Sequence, residues 1–376
     1  MLKPTVLSQS PITRSFLEIW INRYKLDTLR LLNNCSKEQL SAAIKENGRQ
    51  QTATKAMKWI KISCELAGLK TNSLFSYVPN VVSLEDARQI AKYVEKIYAS
   101  LLEVYRRQSI SPSWLALLDT LNHSNSTSVK VEQINAIKLP AIEQIAREVE
   151  PLILELQNRH LACQDRRTIG FMSTQFHFST QLLLENLQPI EQILLKPYLQ
   201  FIEEQVCIPW QRICAAVSQN STDFLVLNAI KSMLSQSEEI ANDVYSKTLS
   251  RFPNHRSRRG LLRESDVASS FIRDMSMFQA YLGLCVLEGN MSSVENELLP
   301  LCLMVFPAIA VDWEMVEVDV ALINKCIQQR LDIKYTTLLE PRMKAMETLF
   351  KIAEPQDEPI RMAKVLPQEG DSMLLG

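Results

Sequence analysis

Glycine is scarce in this chain: 8 of its 376 residues are Gly and 16 are Pro. Both residues weaken or interrupt helices, whereas Leu, Glu, Gln, Lys, Ala and Ile, which fill long windows here, favour them. The length exceeds the usual size of a single core, so two domains and one elongated helical body are both compatible with it. We predict an all-α fold built as a multi-helix body.

The positions of the glycines also argue against several enzyme classes. A phosphate-binding loop needs closely spaced glycines, and the nearest pair in the body of the chain is Gly283 and Gly289. There is no P-loop, Rossmann fingerprint, Gly-x-Ser-x-Gly elbow or His-Glu-x-x-His helix. With four histidines, groups for acid–base chemistry are few. We therefore expect no enzyme, no catalytic residue and no cofactor.

One local pair has the spacing of metal ligands. His160 and Cys163 lie three residues apart, on one face of a predicted helix, with Asp165 and His177 downstream. Zinc needs four converging ligands, so we expect a capped helix end with a buried thiol and no metal. His177 lies between two phenylalanines, which could flank a planar cofactor but more often surround a core histidine.

Charge and cysteine usage suggest where the protein works. The net charge is −1 and the pI about 6.5, so any contact with phosphate must be local. The eight cysteines are scattered without a Cys-x-x-Cys pair, which suits a reducing compartment and buried thiols. The N-terminus lacks the apolar stretch of a secretory signal, and the most apolar window, 298–311, is too short to span a membrane. We predict a cytoplasmic protein without membrane contact, in which this window is a core helix.

Composition divides the chain into three parts. Residues 1–125 read as an N-terminal helical block, and 131–353 as a central and C-terminal helical body. Small polar residues at 122–130 form the best linker and mark the boundary. The tail, 354–376, carries three prolines and mixed charge, so we expect it to be disordered.

The N-terminal block carries an aromatic stripe at intervals of four: Phe16, Trp20 and Tyr24. This spacing predicts one apolar helix face, which packs within the same chain or docks a partner. Ser36 and Gln39 predict a capping-box helix start, and Gly48 predicts a helix stop. Longer helices are predicted from Ser83 to Arg107 and over 142–162.

Five arginines fall within thirteen residues, with no acidic residue between them: Arg251, Arg256, Arg258, Arg259 and Arg263. Clustering arginine costs self-repulsion that a phosphate backbone or a carboxylate-rich partner relieves. A solvated loop is the alternative, because Pro253 and Gly260 break regular structure in this stretch. The sequence leaves both interpretations open.

The segment 223–256, which leads into these arginines, predicts two short helices. The inward residues would be Leu227, Ile230 and Leu234 in the first helix, and Ile240, Val244 and Tyr245 in the second. We expect the turn at 235–237, with Ser235 and Glu238 as a capping box. This arrangement resembles a helix-turn-helix, although the turn lacks the usual Gly and an ordinary helical hairpin is an alternative.

The outer side of the second helix would face double-stranded DNA. We predict phosphate contacts from five side chains and assign Arg263 to the same surface; the five are Lys247, Arg251, Arg256, Arg258 and Arg259. Asn242 and Ser246 are predicted to contact base edges. Regulators of this kind are commonly two-fold symmetric on palindromic sites, so a homodimer is the default expectation.

Two stretches, RRTIGFMSTQFHFSTQLLLENL (166–187) and RSRRGLLRESDVASSFIRDMSMFQAYLGLCVLEGN (256–290), resemble HetZ-type regulators of heterocyst differentiation in filamentous cyanobacteria. The likeness covers roughly the central and C-terminal parts. It implies a DNA-binding transcription regulator with a central helix-turn-helix, acting with other differentiation regulators. It implies no catalytic residue.

We therefore predict a sequence-specific DNA-binding regulator. The rival from another class is a helical protein–protein interaction adapter whose arginine cluster docks an acidic partner. An enzyme with an unrecognised site is the third alternative.

Overall fold

The computed structural model describes residues 11–24, 26, 31, 36–76, 82–108, 142–162, 167–219 and 223–353. Over these ranges the chain forms fourteen α-helices, one π-helical turn and one two-stranded β-hairpin. The all-α prediction is confirmed. The linker 122–130 and the tail 354–376 lie outside the described residues, so the domain boundary and the disordered tail stay predictions.

The helices that precede residue 208 are α1 (Pro11–Ile21), α2 (Lys37–Ile44), α3 (Glu46–Leu74), α4 (Leu84–Arg107), α5 (Ile142–Ala162), α6 (Thr168–Glu185) and α7 (Pro189–Cys207). After them come α8 (Trp210–Gln219), α9 (Phe224–Ser235), α10 (Ser237–Arg251), β1 (Arg256–Ser257), β2 (Gly260–Leu261), α11 (Ser265–Glu288), the π-helical turn (Val294–Leu298), α12 (Leu299–Ala308), α13 (Trp313–Arg330) and α14 (Ile333–Ile352).

Local capping sets several helix starts. The capping box at Ser36 is confirmed: the Gln39 amide donates to Ser36 Oγ at 3.2 Å, and the Ser36 amide donates to Gln39 Oε1 at 2.9 Å. Ser83 caps α4 in a similar way by accepting the Asp86 amide at 3.1 Å. These bonds satisfy amides that have no partner inside the helix.

The predicted helix stop at Gly48 is wrong. The break falls at Lys45, whose extended backbone separates α2 from α3, and Gly48 lies inside the first turns of α3. A Cβ at Gly48 would collide with the backbone of Ala42 and Ala43 in α2. Gly48 is therefore needed for the close approach of two helices and not for ending one.

Three helices form the centre of the body. In α6, α7 and α11 the buried residues surround the helix on most sides, as expected of helices enclosed by other helices. On one side α6 packs against α3, α4 and α7, and on another it packs against α12. One hydrophobic cluster runs from Phe16 in α1 to Phe350 in α14, so helices of the N-terminal block share a core with the central body.

The aromatic stripe of the N-terminal block packs within its own chain. Trp20 stacks on Phe201 of α7 with ring centroids 5.6 Å apart, and Tyr24 meets the same ring edge-on at 5.1 Å. Glu204, three residues after Phe201 in α7, accepts a hydrogen bond from the Tyr24 hydroxyl at 2.8 Å and lies 3.5 Å from the Arg23 guanidinium. Core packing, and not an open partner face, therefore accounts for the stripe.

Most of the most apolar window forms α12, whose residues are buried or half-buried. Within the described ranges, no helix combines the length and apolar character that crossing a bilayer requires. All six cysteines in those ranges are buried thiols: Cys64, Cys207, Cys214, Cys285, Cys302 and Cys326.

Candidate nucleic-acid interface

The segment 223–256 folds into the two predicted helices, α9 and α10, but their junction differs from the prediction. Gln236 alone separates them. Ser235 is not an N-cap: it ends α9, and its hydroxyl donates to the Ser232 carbonyl at 3.1 Å. The predicted capping box with Glu238 and the three-residue turn are therefore wrong. Asp223 is the residue that caps the first helix, by accepting the Val226 amide at 3.2 Å.

The inward faces of both helices are confirmed. Leu227, Ile230 and Leu234 in α9 are fully buried, as are Ile240 and Val244 in α10. Tyr245 is half-buried against the core and stacks at a tilt on Phe271 of α11, 5.7 Å between ring centroids. This burial fixes which side of α10 is left for solvent.

Two neighbours flank α10: α11 on one side and α13 on the other. The α13 contacts run antiparallel, since Asp243 pairs with Arg330 at 2.8 Å near one end and Arg251 approaches Glu314 at 3.8 Å near the other. Between these pairs, the Lys247 ammonium donates to Cys326 Sγ at 3.2 Å. Lys247, a predicted phosphate contact, is thus half-buried and turned toward α13.

A narrow polar ridge remains exposed on α10: Asn242, Ser246 and Ser250. Each side chain donates to the backbone carbonyl four residues earlier, at 2.8 to 2.9 Å. Such bonds are local to the helix and leave the oxygen acceptors, and one amide hydrogen of Asn242, free for another partner. The ridge can therefore offer both donors and acceptors to a ligand.

The arginine stretch forms a β-hairpin, which the sequence interpretation as a loop missed. Arg256 pairs with Leu261 and Ser257 with Gly260, so Arg258 and Arg259 form a two-residue tip. Gly260 has a φ of +131°, a conformation that other residues rarely adopt, and a Cβ there would collide with the Glu264 carboxylate. The signal in the sequence is this glycine directly after the paired arginines.

Backbone hydrogen bonds anchor the hairpin to the body. The Arg258 amide donates to the Ile309 carbonyl at 2.8 Å, at the end of α12. The Leu262 amide donates to the His255 carbonyl at 3.1 Å, and the Leu262 side chain is buried. The Leu261 amide donates to the Glu264 carboxylate at 3.0 Å. The hairpin is therefore held in place from its tip to its base.

Four of the five clustered arginines are exposed: Arg251, Arg256, Arg258 and Arg263. Strand alternation explains Arg256, because its neighbour Ser257 is buried and successive side chains point to opposite faces. Among the described residues, no carboxylate lies within 4 Å of the charged groups of Arg256, Arg258 or Arg263. Arg251 has only Glu314, and both of these side chains are mostly exposed, so that pair is weak.

Arg259 differs from the other four. It is half-buried and donates to the Ser270 hydroxyl at 3.1 Å on α11. Burial lowers its pKa, and the nearby Arg273 guanidinium lowers it further. The tip thus places one arginine in solvent and turns the next toward the core.

Below Arg259 lies a buried ionic network that joins three helices. Arg273 on α11 contacts Glu203 on α7 at 2.7 Å and Asp274 at 3.0 Å. His177 on α6 lies with its Nδ1 2.9 Å from the same Glu203 carboxylate. Burial alone would raise the pKa of Glu203, but His177 and then the arginines outweigh it and hold that pKa at about 2. Glu203 is therefore a buried carboxylate kept ionised by its neighbours.

His177 belongs to this ionic network. Its ring pairs with a carboxylate inside the body and lies near Phe178 in a tilted arrangement, with 6.0 Å between the ring centroids. The side chains of His160 and Cys163 lie outside the described residues. Across the described part of the chain, no three His, Cys, Asp or Glu side chains are grouped to hold a metal ion.

The exposed arginines, the anchored hairpin and the polar ridge of α10 thus follow one another along a single stretch, from Asn242 to Arg263. No protein-family model, no curated protein and no solved structure matches the chain.

Proposed function

We propose that this protein is a sequence-specific DNA-binding transcription regulator, and that its phosphate-binding surface is the arginine hairpin with the end of α10. One observation carries the proposal: Arg256, Arg258 and Arg263 are exposed and have no carboxylate partner within the described ranges. Uncompensated arginines repel one another, and a polyanion relieves that repulsion while releasing its own counterions. The guanidinium fork also fits phosphate geometry.

The anchoring of the hairpin supports this role. A flexible loop would lose conformational entropy on binding, whereas a backbone already fixed at Arg258 and Leu262 loses little. Only the arginine side chains need to become ordered. The hairpin would therefore present its charges to a phosphate backbone in a constant arrangement.

The proposed DNA contacts are fewer than those predicted from the sequence. Arg251, Arg256, Arg258 and Arg263 would contact phosphate, and Asn242 and Ser246 on the ridge would contact base edges. Lys247 and Arg259 are bound to Cys326 and to Ser270, so we propose that they position α10 and the hairpin and do not touch phosphate.

The resemblance to HetZ-type regulators points to the same function, and with it to control of heterocyst differentiation together with other regulators. A cytoplasmic location and a homodimer on a palindromic site belong to this proposal as well. None of these requires an enzymatic step.

The test is a gel-shift assay with fragmented genomic DNA, at about 0.05 M and 0.2 M salt. The variant Arg256→Ala/Arg258→Ala/Arg263→Ala should lose most binding at both concentrations. The control is Arg14→Ala/Arg88→Ala, which removes two arginines whose side chains are 79% and 75% exposed on α1 and α4. It should bind as the parent does.

Two outcomes contradict the proposal. If the parent binds no fragment at the lower salt, the DNA function fails and the docking of an acidic protein partner becomes the better explanation for the arginines. If the hairpin variant binds as tightly as the parent while its thermal melting is unchanged, the DNA surface lies elsewhere.

A further inference from the structure

An apolar stripe remains exposed on α3, outside the face that packs against the rest of the chain. Its four side chains are exposed to 42, 48, 45 and 66%; they are Trp59, Ile62, Leu66 and Leu69. Nine large hydrophobic side chains are exposed in the described ranges, and four of them lie on this one stripe. A patch of this kind is as large as the largest one on a typical monomer, and such patches are often functional.

The packed face of α3 accounts for the stability of the helix without the stripe. Ala53, Ala56, Ile60, Cys64 and Ala67 are buried there, and α3 packs along α4 and α6. The stripe therefore contributes little to the fold of one chain. Its exposure has a cost in water that a partner surface would remove.

The spacing of the stripe is that of a two-helix seam. Steps of three, four and three residues place Trp59 and Leu66 at one heptad position, a, and Ile62 and Leu69 at the other, d. A helix with the same 3.5-residue repeat packs side by side against such a seam over its whole length. Ser73, exposed near the end of α3, falls on the next a position.

We propose that the occupant of this seam is α3 of a second copy of the chain, packed in parallel. The charges beside the stripe favour this partner and this orientation. Glu65 and Lys70 are exposed at positions g and e, and in a parallel pair each Glu65 lies next to Lys70 of the second copy. In an antiparallel pair that matches Trp59 with Leu69 of the second copy, Glu65 instead lies beside Glu65 of the second copy, and the two carboxylates repel each other.

The size of the seam predicts a moderate association. The four side chains leave on the order of 400 Å² of apolar surface per copy, within the range of the largest patch on an ordinary protein. Two copies together bury about 800 Å² through them, so the flanking Lys58, Glu65 and Lys70 must contribute to reach the roughly 1,200 Å² of a specific interface. We expect a dimer at micromolar concentration.

Sedimentation of the full chain, without DNA, tests the seam. The parent should sediment as a dimer at about 20 µM, and Leu66→Lys should weaken the dimer at least tenfold, since it buries a charge at the seam centre. Ile333→Lys makes the same change at a residue that is 82% exposed at the start of α14, and should leave the dimer intact. A monomeric parent, or a Leu66→Lys variant that dimerises as the parent does, would overturn the proposal.

Two further variants test the orientation. Glu65→Lys alone should weaken the dimer about fivefold through two repelling pairs, and Glu65→Lys/Lys70→Glu should restore it. Ser73→Cys should form a disulfide-linked dimer under mild oxidation, beyond any seen in the parent, because a parallel pair brings the two residues 73 together. Absence of that dimer, with association intact, contradicts the parallel arrangement. Neither result depends on DNA, so the seam and the arginine surface can fail separately.

Discussion

Removing the charge of Glu203 should change how the stability of this protein depends on pH. The carboxylate is buried between His177 and Arg273, which hold its pKa at about 2, against 4.5 for an ordinary glutamate. A folded-state pKa below the unfolded one means that the folded chain releases this proton more readily. The stabilisation is therefore present above pH 4.5 and is lost as the pH falls toward 2.

The size of the effect follows from the two pKa values. A difference of about 2.5 units corresponds to about 3 kcal/mol when the carboxylate is fully ionised in both states. At pH 5 nearly all of this stabilisation is present, and at pH 3 only about 1 kcal/mol remains. The parent should therefore lose about 2 kcal/mol through this one group between pH 5 and pH 3.

Glu203→Gln keeps the shape and the hydrogen-bond acceptor but cannot ionise. Urea unfolding, followed by tryptophan fluorescence to which the buried Trp20 and Trp210 contribute, gives the free energy of unfolding at each pH. The difference in the free energy of unfolding between parent and variant should shrink by about 2 kcal/mol from pH 5 to pH 3. Glu314→Gln, at a side chain that is 75% exposed, should show a small and nearly constant gap. A constant gap for Glu203→Gln as well would refute the argument that its neighbours keep this carboxylate ionised.

Three other substitutions or treatments have expected outcomes. Asp319 is buried, and burial raises its pKa from 3.8 to about 7. Its ionisation therefore destabilises the fold as the pH rises from about 4 to about 7. Asp319→Asn should raise the free energy of unfolding measured at pH 8 and change it little at pH 4. Trp20→Ala should cost about 3–5 kcal/mol in urea unfolding, whereas Leu84→Ala, at a side chain that is 70% exposed, should cost under about 0.5 kcal/mol. Burial also raises the pKa of three thiols to about 12: Cys64, Cys207 and Cys214. Mass spectrometry after alkylation at pH 8 should therefore find these thiols unmodified until the protein is unfolded.

Helix content and several helix limits could be predicted from the sequence because their causes are local. The start of α4 after Ser83 and its end at Arg107 match the prediction, as do the limits of α5 at Ile142 and Ala162. Capping residues and apolar spacing act within a few positions of the chain. The inward faces of α9 and α10 follow from the same spacing.

Predictions that depended on distant contacts went wrong or could not be made. Gly48 looked like a helix stop, but its role comes from the closeness of α2. The arginine stretch looked like a loop, because only the pairing with Gly260 and the bond to Ile309 make it a hairpin. Nothing in the sequence indicates that Arg273 meets Glu203, seventy positions away. The sequence named the candidate residues, but it did not indicate that Lys247 and Arg259 turn toward α13 and α11.

The salt dependence of DNA binding tests the central proposal most directly. Four exposed arginines, Arg251, Arg256, Arg258 and Arg263, should give a plot of log affinity against log salt with a slope of about −3.6, and each exchange to Ala should flatten it by about 0.9. Arg259→Ala should leave the slope unchanged, because that side chain is bound to Ser270. If all four exchanges together leave the slope as steep as in the parent, these arginines do not contact phosphate, and the proposed DNA surface is contradicted.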